Sequence, residues 1–269
     1  MERLEKIKKE NSDVTVILSI FKRPYALEEQ IKAVEAQTVK PKEIIIINNG
    51  CFSPTPQRAK DKYTVIENSV NFGVWFRFSI WLNANTKYVN VIDDDTIPWS
   101  KWLENCIRES EKKRWLYWTI GCIYWLAKPW RAKEDWTDDM KVWREHYYSH
   151  IRFGWASPNK DVQEVDLIWH SRFFEREFLS KAYFAESIPD SPYCWEDMWF
   201  SYTLQKYMWL WSYVPPHPHW DMEMRWSKKG WELWTVDSSW SEHWKWDWDI
   251  YDDFYKEMRK KWFKILMDS

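Results

Sequence analysis

Glycine is scarce in this chain, with 5 in 269 residues, where ordinary usage of about 7% would give roughly 19. Tryptophan is correspondingly abundant, at 25. Several of these indoles stand where a turn or a close backbone approach would call for glycine: Trp99 directly after Pro98, and Trp81, Trp169, Trp195, Trp209 and Trp226. Glycine serves such places because it tolerates positive φ and lets backbone approach backbone, and an indole does neither. The expectation is that many of these tryptophans come from UGA codons that the source organism reads as glycine. The alternative is an aromatic-rich protein that stacks sugar rings on indole faces.

Cysteine is also sparse. Cys51, Cys106, Cys122 and Cys194 are far apart and include no Cys-x-x-Cys pair, which excludes a zinc knuckle or a disulfide framework and fits a reducing, cytoplasmic compartment. An excess of charge of one sign is missing too: 39 Lys and Arg meet 41 Asp and Glu, a formal net charge of -2. That removes the field that attracts phosphate backbones or anionic bilayers, so neither nucleic acid nor a membrane surface is the expected partner. The longest apolar stretches, around Val14 to Phe21, fall short of the run of about 18 residues that spans a bilayer, and no signal peptide or membrane span is expected. Phosphate-loop, Gly-x-Gly-x-x-Gly, Gly-x-Ser-x-Gly and kinase signatures are absent. Glycine loss could disguise some of these, but the Lys-Ser/Thr end of a phosphate loop would still show.

The chain itself alternates strands with helices. Val14 to Ile20 is short, β-branched and almost continuously apolar, as a strand covered on both faces should be. Pro24 opens a helix with Leu27, Ile31 and Val34 on one face, and Glu43 to Asn49 forms the next strand. A third strand is expected at Tyr63 to Glu67, a helix from Val74 to Ala84, and a fourth strand at Tyr88 to Ile92. A helix from Ser100 to Lys112 and a strand near Leu116 to Tyr124 follow. Residues 128–160 read as a loop-rich insertion. Strand-like alternation returns at Val162 to Ile168, a helix follows Trp195, and Ile250, Phe254, Met258 and Trp262 recur every four residues as a terminal helix. The length suits one large domain, and this alternation predicts an α/β fold with an open, mostly parallel sheet whose ligands bind off the carboxyl ends of the strands.

At one such end stand Asp93, Asp94 and Asp95. Three adjacent carboxylates repel unless a cation sits among them, and oxygen ligands suit Mg²⁺ or Mn²⁺. An acidic, solvent-facing turn explains the triplet equally well. Glu196-Asp197 similarly reads either as acids favoured at a helix N-terminus or as a reactive pair. His217 and His219, among prolines, could supply a late metal ligand, although loop histidines are commonly plain surface residues.

The order of Arg23-Pro24, Ala36-Gln37-Thr38, Pro41-Lys42-Glu43, Asn48-Asn49-Gly50, Asn71-Phe72-Gly73, Arg77 and Tyr88-Val89 leading into Asp93-Asp94-Asp95 resembles the nucleotide-sugar-binding half of the family 2 glycosyltransferases, which have the GT-A fold. The likeness is close over residues 13–110. It implies a single GT-A-like domain with a nucleotide-sugar half at 13–125 and a more divergent acceptor half at 126–269. By the same resemblance, Ile20, Arg23, Asn48, Asn49, Arg77, Asp93 and Asp94 would meet the donor, a UDP-sugar. The family usually carries Asp at the position of Asn48. Asp95, with Asp93 and His217, would hold Mn²⁺ or Mg²⁺. Val165-Asp166, His170, Phe173-Phe174 and Arg176 resemble the family's segment near the acceptor.

Cys194-Trp195-Glu196-Asp197 resembles its Glu-Asp signature, in which a small residue commonly precedes the acids. This implies Asp197 as general base, with Glu196 the substitute. The activity so implied is inverting, hexosyltransferase-type transfer to a glycan, lipid or protein hydroxyl. A sugar nucleotidyltransferase and a non-catalytic, tryptophan-rich carbohydrate-binding protein are the alternatives.

Overall fold

The computed structural model describes residues 12–21, 23–50, 53–125, 149–154, 158–187, 196–228 and 248–266. Strand β1 (Ser12–Ile20) lies between β2 (Pro41–Asn49) and β4 (Tyr88–Ile92), parallel to both, and β3 (Thr64–Asn68) runs parallel to β2. The order among the described residues is β3-β2-β1-β4-β8-β5-β9-β7, where β5 is Leu116–Trp125, β7 Gln163–Val165, β8 Leu167–Glu175 and β9 Ser212–Val214. Strand β6 (Ser149–Phe153) pairs with β5. Because β8 inserts antiparallel between β4 and β5, one sheet is built from both halves of the chain.

The apolar run of β1 has the predicted cause. Val14, Val16, Leu18 and Ile20 face Leu27, Ile31 and Val34 of α1 (Pro24–Glu35) and Trp102, Cys106 and Ile107 of α4 (Trp102–Lys112). Ile17 faces the other way with Ile45, Ile47, Val89 and Val91, against Phe78, Phe178, Leu179 and Phe200. With helices on both faces, alternation disappears and the strand reads as continuously hydrophobic. The elements α5 (Glu177–Phe184) and α6 (Glu196–Met208) cover the second face beside β8.

Several expectations change. Val74 to Ala84 is not one helix but a single turn, α3 (Phe76–Ser79), followed by a 3₁₀ turn (Ile80–Asn83). Part of the expected 128–160 loop is strand β6, drawn in by ladder bonds to β5; residues 126–148 and 155–157 lie outside the described residues. Short α2 (Gln57–Lys62), α5 and β9 carry too little periodicity to stand out in sequence.

The terminal helix α7 (Trp248–Lys261) forms as expected, but Trp262 lies just beyond it. Trp262 takes φ 114, and Trp209, just past α6, takes φ 58. Around Trp209 the helix ends in an αL cap: its N–H donates to the Gln205 carbonyl, and the Leu210 N–H reaches back to that of Leu204. Glycine is the usual occupant of this position because a Cβ clashes there. Trp81, Trp99, Trp169 and Trp226 do not share the feature. Trp226 instead is buried, its indole N–H donating to the Gly154 carbonyl. Trp195 lies outside the described residues.

Trp209→Gly is expected to raise stability by about 1 kcal/mol, since relief of left-handed strain of about 1–2 kcal/mol outweighs what a largely exposed indole contributes. Thermal melting should show a rise of about 3 °C, and an unchanged or lower midpoint would refute the strain argument. Peptide mass spectrometry of the protein from its native cells should return glycine at Trp209 and Trp262 if the recoding expectation holds, and indole there would exclude it.

Candidate active site

The parallel strands end together. Ile20 is in register with Asn48, and β4 delivers Asp93, Asp94 and Asp95 directly after Ile92. The turn that carries these acids is pinned from beneath by buried Gln30 of α1, whose amide donates to the carbonyls of Asp93 and Thr96. Strand β8 passes beside β4 and carries His170 and Arg172. Its pairing with β5 slips by one residue between Trp118 and Ile120, and His170 sits in this bulge at φ 64. Bulges re-aim side chains at the edges of sites. Here Nδ1 of His170 comes to 3.7 Å from Oδ1 of Asp95.

Asp93, Asp95 and His170 each offer a ligand atom, and these atoms lie within 4.8 Å of one another. Two carboxylates and an imidazole are a donor set for a divalent ion that also accepts nitrogen, such as Mn²⁺. The group therefore fits a metal, and His170 takes the place expected of His217. His217 is 1% exposed; its Nδ1 donates to the Pro215 carbonyl at 2.6 Å and its ring packs near Trp102. Its Nε2 is buried with no hydrogen-bond partner among the described residues. Burial, with the nearby Arg225 adding, pushes its pKa down to about 4.

Three arginines serve four acids. Arg23 donates to Asp94 Oδ1 at 2.6 Å. Arg77 lies 3.0 Å from Asp93 Oδ1 and donates to Glu196 Oε1 at 2.6 Å. Arg172 donates to Asp93 Oδ1 at 3.1 Å, to Glu196 Oε1 at 3.3 Å and to Asp197 Oδ1. Glu196 and Asp197, the first residues of α6, are thereby brought against the Asp triplet although they are about a hundred positions away in sequence.

Burial pushes the Asp94 carboxyl up to about 7 against the pull of Arg23, with Asp95 and Asp93 adding to the rise. Burial likewise lifts Asp197 to about 7, Glu196 adding and Arg172 opposing. At Asp95 burial also works against charge, but His170, Arg23 and the Thr96 hydroxyl outweigh it and hold the group at about 2. Acids at one site whose pKa values are pushed apart in this way make it a candidate functional site.

The residues implied as donor contacts divide. Arg77, Asp93 and Asp94 line the cluster, as does Arg23. Ile20 is 4% exposed, its side chain in the core, so only its backbone could meet a ligand. The Asn48 amide is spent on the Ser53 carbonyl and the Thr55 hydroxyl. Asn49 ties down the following loop: its amide donates to Asn71 Oδ1 and the Gly73 carbonyl, and its Oδ1 accepts from the Phe72 N–H. Sequence reading passed over Arg172; the signal was a charged residue between Ser171 and Phe173 in a largely apolar and aromatic run. A cavity of about 610 Å³ lies elsewhere, at the amino ends of β1 and β4, lined by Asp13, Lys87, Arg114 and Glu175, and contains none of these acids.

An open α/β sheet with an acidic, metal-capable cluster at the carboxyl ends of its parallel strands and a second acid pair facing it defines the GT-A class of sugar-transferring folds. The match to the model of Glycosyl transferase family 2 extends over residues 15–181, and the chain belongs to that family. No curated protein matches it. No described helix is long and apolar enough to cross a membrane.

Proposed function

We propose that the protein moves a hexose-type sugar from a nucleoside diphosphate-sugar, UDP-linked, to an acceptor hydroxyl, with inversion and with Mn²⁺ or Mg²⁺ at Asp93, Asp95 and His170. The observation that carries this reading is the single side-chain network that joins the Asp triplet after β4 to Glu196-Asp197 at the start of α6. Family membership supports a sugar donor and an acceptor.

A divalent cation so held would supply electrostatic stabilisation of the departing diphosphate. The protein's own groups do the rest. Asp197 accepts the proton of the acceptor hydroxyl as that oxygen bonds to the anomeric carbon and the bond to the diphosphate oxygen breaks. Arg23 and Arg77 place positive charge beside the donor, and Glu196 holds Arg77 in position.

The test is release of nucleoside diphosphate from a panel of nucleotide-sugars with and without Mn²⁺. Metal-stimulated release from one donor is expected, with the stimulation lost in Asp95→Ala. Pyrophosphate released from a nucleoside triphosphate would instead identify a nucleotidyltransferase. Metal-independent glycan binding without release would identify a binding protein.

A further inference from the structure

Arg172 is the most deeply buried charge of the site, its side chain 1% exposed. Its guanidinium carbon stands 4.8 Å from the centre of the Phe78 ring, and its N–H groups reach acids on both sides of the cluster. Taking a guanidinium out of water is costly, and the cost is met only where several acceptors are fixed around it. It projects from β8, hydrogen-bonded between β4 and β5, so its position is set by the sheet. Arg77, on the short α3, also joins Asp93 to Glu196, but the bond to Asp197 is made by Arg172.

From this we infer that Arg172 is a positioning residue: it orients Asp197 for proton transfer and, by holding Asp93 through the same guanidinium, couples the state of the metal site to the orientation of the base. The inference rests on the glycosyl-transfer reading above. Charge explains why the coupling has a sign. Asp93 is at once a partner of Arg172 and one of the three groups that could hold a divalent ion. Arg172 and such an ion draw on the same Asp93 carboxylate. Removing the guanidinium therefore favours the ion while it releases the base, whereas loss of a purely structural residue would loosen both.

The experiment compares wild type, Arg172→Gln and Arg172→Lys in two readouts: binding of Mn²⁺ alone by calorimetry, and kcat and KM for transfer. Arg172→Gln is expected to bind Mn²⁺ about tenfold more tightly, while kcat falls about 100-fold and donor KM stays within about threefold. Arg172→Lys keeps the charge but not the fork that spans two acids. It should bind Mn²⁺ as wild type does while kcat falls about tenfold.

Should Arg172→Gln not fold, the Lys variant decides alone. Wild-type kcat in Arg172→Lys, or Mn²⁺ binding by a folded Arg172→Gln that is unchanged or weaker, overturns the inference while wild-type transfer leaves the functional reading intact. Wild-type protein that neither binds Mn²⁺ nor transfers sugar overturns both.

Discussion

Asp197→Asn is expected to lower acceptor-dependent transfer about 10³-fold, a loss of about 4 kcal/mol of transition-state stabilisation, because the amide keeps the shape of the carboxylate but cannot take a proton. Mn²⁺ binding should persist, since Asp93, Asp95 and His170 are untouched. The fold should persist as well: the buried guanidinium of Arg172 retains Asp93 and Glu196 when one acidic partner is neutralised. The pH profile distinguishes a base from a merely oriented acid. With its carboxyl pushed up to about 7, Asp197 is largely protonated below neutrality, so the rate without bound substrates saturating the site should climb as pH rises through that value. Steady-state rates from pH 5.5 to 8.5 check this. If Asp197→Asn retains more than about a tenth of the wild-type rate, Glu196 becomes the candidate.

The second large effect concerns stability in acid and belongs to His217. Its folded-state pKa is depressed from 6.5 to about 4, so below 6.5 the unfolded chain takes a proton that the folded chain refuses. Stability from this group is therefore fully present above about 6.5 and is lost as pH falls toward 4, by up to about 3 kcal/mol. Asp94 and Asp197 act with the opposite sign. Their raised pKa values mean that the folded state holds protons which the unfolded state has released, so their contribution weakens as pH rises from about 4 to 7.

A melt of the wild type alone would mix these terms, and a difference measurement separates them. The stability advantage of wild type over His217→Gln, from denaturant midpoints at pH 7.5 and pH 4.5, should shrink by about 2 to 3 kcal/mol on acidification. A gap that does not move with pH would show that the imidazole titrates normally in the folded chain.

Much of the fold was written locally. A β-branched apolar run bounded by Pro24 on one side, and another between Pro41 and Asn49, is enough to place β1, α1 and β2, because the burial of both faces leaves no alternation to misread. Strand β4 and the Asp triplet after it were legible for the same reason. Segments whose state depends on partners were not: Ser149–Phe153 becomes a strand through its ladder with β5, and Trp262 fits the helical period yet falls past the last turn at φ 114.

By itself, then, the sequence determined the α/β class, the carboxyl edge at which the acids collect, and the presence of a second acid pair at the start of a helix, all of which follow from runs of neighbouring residues. Only the tertiary structure decided which charges meet. His217 lies among prolines after β9 and His170 within β8, but one points into a core against Trp102 and the other is turned by a bulge toward Asp95. Arg172 reaches Asp93 and Asp197 because β8 is inserted beside β4, a pairing between strands about eighty residues apart. No local pattern encodes that pairing: its free energy comes from ladder bonds and burial that exist only once the sheet has closed around it.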